Sequence, residues 1–207
     1  MSIKALLVGA AALALSSAAQ AVNVQIWTNQ PTSVTNNATI AQAAGLGAPN
    51  ITTTVGGINF STSNSAATTI GTWLGNPLIS AAILNDSYML FTGDIFLNAG
   101  ANNFTIAHDD GVQISLDGGL GIVLSVPGPT PPTTNPFVIN APSAGTYHFT
   151  MSYGECCGGP AVLQWLYPQG QAVGTVPEPA TWAMMLLGFA GIGMAVRRSK
   201  KSLPQLA

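Results

Sequence analysis

Two short segments hold most of the groups in this chain that could do chemistry. One is His108-Asp109-Asp110-Gly111, with Asp117 seven residues on. The other is Tyr153-Gly154-Glu155-Cys156-Cys157-Gly158-Gly159. No Lys or Arg lies between Ala5 and Val196 to compensate the carboxylates. Carboxylates without cationic partners need water, backbone N–H donors or a metal ion. Hard oxygen ligands select calcium, so Asp109, Asp110 and Glu155 are the expected metal ligands. Neighbours on a regular strand point to opposite faces. Asp109 and Asp110 can share one ion only where the backbone is irregular, which a glycine at position 111 helps to accommodate. The plainer alternative is a solvated Asp-Asp-Gly hairpin turn.

Cys156 and Cys157 are the only cysteines. They can bond to each other, pair between chains or stay free. Two cysteines with no nearby histidine are too few ligands for zinc. His108 is expected at a wet or strand-edge position rather than as a ligand. Trp27, Trp73 and Trp165 read as core, with Trp73, flanked by Gly71 and Gly75, the most exposed of the three. No nucleophile constellation occurs: there is no Gly-x-Ser-x-Gly, no Asp-Thr-Gly and no cysteine followed by a suitably placed histidine and asparagine. Asp109 with Glu155 makes a poor glycosidase pair without more charge and a larger aromatic cleft. The chain is therefore not expected to be an enzyme.

The elements that must position these residues are strands. Only 6% of the 207 residues are charged, against about 25% in ordinary domains. The segment 22–175 is rich in Thr, Ser, Asn, Gly and Pro and sustains no helical period, whereas period-two alternation recurs. Val24 and Ile26 alternate with polar neighbours, as do Phe104, Ile106 and His108. Val112, Ile114 and Leu116 form another stripe, as do Tyr147, Phe149, Met151 and Tyr153, and Ala161, Leu163, Trp165 and Tyr167. Tyr88 to Leu97 is a bent strand or strand pair. Asp117-Gly118-Gly119 marks a hairpin turn. Pro127 to Pro136 is too proline-rich for a central strand and reads as a loop. Asn29 to Asn64 reads as long loops with short strands. The fold class is all-β, an antiparallel β-sandwich, flanked by an N-terminal signal helix and a C-terminal transmembrane helix. With no base to neutralise phosphates, nucleic-acid binding by this domain is excluded.

The succession from Gly93-Asp94-Ile95-Phe96-Leu97 through Phe104 to Gly118, then Gly145-Thr146-Tyr147 to Tyr153 and Val162-Leu163-Gln164-Trp165, resembles the protective-antigen-type β-sandwich of bacterial toxins, glycosidase insertions, yeast flocculins and epithelial adhesins. The resemblance spans about Gly93 to Gly170. It implies that Asp109 and Asp110 are joined by a cis peptide and hold calcium, which in turn holds sugar hydroxyls. Further ligands would come from the loop 154–160, which here offers Glu155 and backbone carbonyls but no Asn or Asp.

Both ends read as addresses. Lys4, the apolar run Ala5 to Leu15 and Ala19-Gln20-Ala21 make a secretory signal, cut by signal peptidase between Ala21 and Val22. Such export leads to an oxidising compartment. Near the C-terminus, Pro177-Glu178-Pro179 precedes the uncharged stretch Ala180 to Val196, short for a span but glycine-bearing. Arg197 and Arg198 then act as the membrane stop. This order resembles the PEP-CTERM sorting signal. It implies an exosortase partner, a transient inner-membrane anchor, and delivery to the surface or extracellular matrix of an exopolysaccharide-producing Gram-negative bacterium.

The expected organisation is a signal peptide at 1–21, a β-sandwich ectodomain at 22–175, a sorting signal at 176–201 with a span at 180–196, and a cytoplasmic tail at 202–207. After processing, the domain keeps Asp86, Asp94, Asp109, Asp110, Asp117 and Glu155 and no base, a formal charge of −6 in place of −2. The expected function is calcium-dependent carbohydrate binding. The alternative is a structural matrix or biofilm protein that binds no glycan. Ice binding is less favoured, because Thr52-Thr53-Thr54 and Thr68-Thr69 are clustered rather than ranked.

Overall fold

Among the described residues alternating apolar residues mark ten strands, most of which bury one face. The computed structural model describes residues 21–174 and Gly188. The strands are β1 (Val22–Trp27), β2 (Ile51–Val55), β3 (Asn59–Thr62), β4 (Ser87–Leu97), β5 (Gly100–Asp109), β6 (Val112–Leu116), β7 (Gly121–Val126), β8 (Thr133–Ala141), β9 (Gly145–Glu155) and β10 (Ala161–Leu166). They form a six-stranded sheet, β2-β1-β4-β9-β6-β7, and a four-stranded sheet, β3-β10-β5-β8. Every ladder is antiparallel. Within 21–174, helix is confined to short segments at Thr32–Thr35, Ile40–Gly45, Ser65–Ala67 and Ile70–Trp73. Among the described residues no helix is long and apolar enough to cross a membrane. The expected signal helix, the span 180–196 apart from Gly188, Pro177-Glu178-Pro179, Arg197 and Arg198 lie outside the described residues.

The core lies between the sheets. Met89, Phe91 and Ile95 of β4 and Phe149, Met151 and Tyr153 of β9 meet Ile106 of β5 and Leu163 and Trp165 of β10. Trp165 is completely buried, with Phe149 edge-on to it at 5.1 Å between ring centres. Tyr88 to Leu97 is one strand, paired along its whole length with β9 from Ser87↔Glu155 to Leu97↔Gly145. Pro136 is part of β8 rather than of the preceding loop. β8 is an edge strand with β5 on one side only, a place where a residue without an N–H is accommodated.

The outer face of the six-stranded sheet is partly covered. Trp27 and Tyr88 pack with Val34 and Ala38 of the segment after β1. Ser152, on that outer face, is buried and donates to the Ala38 carbonyl at 2.6 Å. The cover fits because residue 154 is glycine: a Cβ there would sit 2.4 Å from the Thr35 carbonyl oxygen.

Asp109 ends β5 in one sheet, and Val112 begins β6 in the other. Asp109, Asp110 and Gly111 are thus the crossing between sheets, not a hairpin turn. Gly111 is required at this corner, since a Cβ would lie 2.0 Å from the Pro127 carbonyl oxygen. The Asp117-Gly118-Gly119 hairpin joins β6 to β7, as expected.

Candidate functional site

The crossing places both aspartates at one end of the sandwich, where three loops converge. Their connecting peptide bond is cis. Both residues are nearly buried, 6% and 5% exposed, and both line an open cleft of about 380 Å³. The cleft is walled by Pro129, Thr130, Pro131 and Pro132 from the β7–β8 loop and by Cys156, Cys157, Gly158 and Pro160 from the β9–β10 loop.

Asp110 ties these loops together. Its Oδ1 accepts the Thr130 N–H at 3.2 Å, and its Oδ2 accepts the Cys156 N–H at 2.8 Å. The backbone of the pair is held as well. Asp110 C=O faces His108 Nδ1 at 2.6 Å, and Asn135 Nδ2 faces His108 Nε2 at 2.7 Å. A carbonyl can only accept and an amide nitrogen can only donate, so His108 is neutral, protonated on Nδ1. Burial also holds its pKa below the ordinary 6.5. His108 is therefore not the wet or strand-edge residue expected: it is 1% exposed and fixes the Asp110 backbone.

The Tyr153 hydroxyl donates to the Asp109 carbonyl and also lies 2.7 Å from Glu155 Oε2. One hydroxyl proton cannot serve both acceptors. A protonated Glu155 resolves this, donating from Oε2 to Tyr153 Oη. Burial pushes Glu155 up to about 8, and the negative charges of Asp110 and Asp109 push it the same way. Tyr153 is driven well above its usual 10, chiefly by burial and then by Glu155. Glu155 itself is fully buried and does not line the cleft. The third expected ligand is instead an inner carboxyl, because it falls on the core-facing side of β9, in line with Tyr153 and Met151.

The Asp109 carboxyl is raised to about 6, first by burial, then by the charge of Asp110 and by a carboxyl-to-carboxyl contact with it. Two carboxyls meeting without a base between them will share a proton or a cation.

Cys156 and Cys157 form a disulfide between chain neighbours. Their sulfurs and an Asp110 oxygen lie within 4.8 Å of one another, but oxidised sulfur offers no thiolate for a soft metal. Cys157, Gly158 and Gly159 all have positive φ (72°, 68° and 114°). The loop is tied by Gly158 N–H to Asn85 Oδ1 at 2.7 Å and by Ser65 N–H to Gly159 C=O at 2.6 Å.

Trp73 is not the exposed tryptophan expected. It is 4% exposed and stacks on Tyr153 at 5.4 Å. Thr69 caps its turn, with Oγ1 accepting the Thr72 N–H. The roles of Tyr153, Thr130 and Asn135 were not apparent in the sequence. The one available signal was the Tyr153/Glu155 spacing, which puts both on one strand face.

Residues 175–200 match the family model of the PEP-CTERM protein-sorting motif. No curated protein matches the chain in sequence. Solved structures share its fold. A PA14 sugar-binding domain from an RTX adhesin superposes with a TM-score of 0.55 at 18% identity, covering 74% of this chain and 93% of that one. The PA14 domain of MpAFP antifreeze protein gives 0.54 at 19% identity, over 74% and 85%. The epithelial adhesin 6 A domain from Candida glabrata, in complex with Galβ1-3GlcNAc, gives 0.50 at 10% identity, over 70% and 77%. The chain thus joins a β-sandwich of the PA14 fold to a PEP-CTERM protein-sorting motif, the mark of an exported protein.

Proposed function

We propose that this is a non-catalytic surface or matrix protein whose β-sandwich binds carbohydrate through calcium held by Asp109 and Asp110. The observation that carries this reading is the pair itself. Two adjacent carboxyls meet at the floor of a solvent-open cleft, with no Lys or Arg anywhere in the domain. The donor set fits a hard divalent cation, being carboxylate oxygen from two adjacent side chains that line one cleft. Calcium, when bound, would offset the paired charge and coordinate vicinal sugar hydroxyls. The chain's own part is to hold the two carboxylates: Thr130 and Cys156 N–H groups fix Asp110, while His108 and Tyr153 fix the backbone of the pair. The neighbours described as a sugar-binding domain and as an adhesin in complex with a disaccharide support a binding rather than a catalytic role.

In this reading signal peptidase cuts between Ala21 and Val22. An exosortase then processes the chain near Pro177-Glu178-Pro179, releasing domain 22–175 to the cell surface or matrix, where exopolysaccharide is the nearest glycan. The test is a calcium titration read by thermal shift, together with retention on a glycan array. Asp109→Ala with Asp110→Ala should abolish both. Retention unchanged in the double variant refutes the reading. Calcium-linked stability without retention of any glycan favours a purely structural matrix protein.

A further inference from the structure

The cleft has a second surface of distinct chemistry. Beside the two carboxyls lie the Cys156–Cys157 disulfide and the rings of Pro129, Pro131 and Pro160. Among the described residues that line it, none is aromatic. A pyranose has two kinds of surface: hydroxyls that suit a cation, and a patch of C–H bonds that must leave water against something apolar. Aromatic rings commonly supply that wall, but none is present here. The disulfide is placed to do so. It is polarisable and donates no hydrogen bond. Cys157 is exposed, whereas Cys156 is buried and anchored through its N–H to Asp110. Hydrogen bonds from Gly158 to Asn85 and from Ser65 to Gly159 hold the loop still, so little ordering is needed on binding.

We propose that the Cys156–Cys157 disulfide, with the facing prolines, is the apolar platform on which the C–H face of a neutral pyranose rests while its hydroxyls reach the ion at Asp109 and Asp110. Neutrality follows from charge. The two carboxylates already balance one divalent ion, and the domain has no Lys or Arg to receive a sulfate or uronate. This inference rests on the carbohydrate reading above.

The test compares the full-length protein in detergent with its Cys156→Ser/Cys157→Ser variant. Both substitutions keep the backbone N–H that Asp110 uses. Calcium alone is titrated first, and then an array carrying neutral, sulfated and uronate-terminated glycans is probed at saturating calcium. With calcium re-titrated to saturation for each variant, we expect retention of neutral glycans weakened by about tenfold, the change for uncovering roughly 50 Å² of apolar surface. A Cys156→Ala/Cys157→Ala variant, which keeps the wall apolar but smaller, should lose less. It also supplies the reading if the serine pair does not fold. Retention within twofold of wild type in the disulfide-free variants overturns the platform and leaves calcium-dependent binding intact. Wild-type protein that prefers uronate or sulfated glycans overturns it too. Wild-type protein that binds calcium but retains no glycan overturns both this inference and the reading beneath it.

Discussion

Glu155→Gln should remove a decline in stability that the chelated wild-type protein shows between pH 7 and pH 9. Glu155 is fully buried, and its carboxyl is pushed from 4.5 to about 8, first by burial. A raised folded-state pKa means that the folded protein holds a proton the unfolded chain has already released. The associated stability is full below about pH 4.5 and is lost as pH rises toward 8. From pH 7 to pH 9 the remaining loss is about 1–2 kcal/mol, or about 3–6 °C in Tm for a domain of this size. Asp109, at about 6, has largely finished titrating below this window, and burial holds His108 below its ordinary 6.5. Glutamine reproduces the protonated arrangement. Its amide can donate to Tyr153 Oη while Tyr153 donates to the Asp109 carbonyl. The assay is thermal or urea unfolding of both proteins at pH 7 and pH 9 with chelator present. A wild-type stability that is flat or rises over this interval, or an equal decline in the variant, refutes a protonated interior Glu155.

Other outcomes follow from the same geometry. Asp109→Asn with Asp110→Asn should eliminate the calcium-induced stabilisation, which at 100 times the Kd is about 2.7 kcal/mol in the wild type; differential scanning calorimetry reads it. Gly111→Ala should destabilise by several kcal/mol, because its Cβ would overlap the backbone of Pro127, whose carbonyl also accepts the Ala38 N–H, whereas Gly128→Ala, with open space around it, should change stability by no more than about 0.5 kcal/mol. Urea unfolding of the two alanine variants, side by side, checks this. Calcium affinity should fall as pH drops through about 6, where Asp109 takes up a proton in competition with the ion; calorimetric titration at pH 5 and pH 7 measures the difference. Mass spectrometry of the mature protein from an exosortase-bearing host should find Val22 at the N-terminus and nothing beyond about Pro179, and an intact Arg197-to-Ala207 tail contradicts that processing.

Much of the strand framework was legible because alternation is a local signal. Val112-Gln113-Ile114-Ser115-Leu116 shows its inner face within five residues, whatever lies around it. What alternation cannot show is whether the other face meets water. His108 reads as wet or strand-edge, yet it is buried under Asn135 and the Asp110 backbone, and Ser152, opposite the Met151 and Tyr153 stripe, is buried under Ala38. Trp73 was misjudged for a related reason: glycines around a tryptophan suggested a loose loop, but Gly71 is where the backbone of Asn76 and Ser80 closes tightly over the turn. Pro136 was excluded from a strand by a rule that holds only for inner strands, and nothing local says which strand is an edge.

The sequence by itself determined the all-β class, the adjacent aspartates with no base to compensate them, and the tripartite C-terminal motif. Each is a matter of composition, period or contiguous order. Only the tertiary structure decided what the aspartates face. Asp110 takes its donors from residues 20 and 46 positions away, and Glu155 turns inward to Tyr153 rather than outward to the cleft. Those outcomes depend on which sheet each strand joins. That is settled by packing two apolar faces against each other across distant parts of the chain, and local residue order carries no record of it.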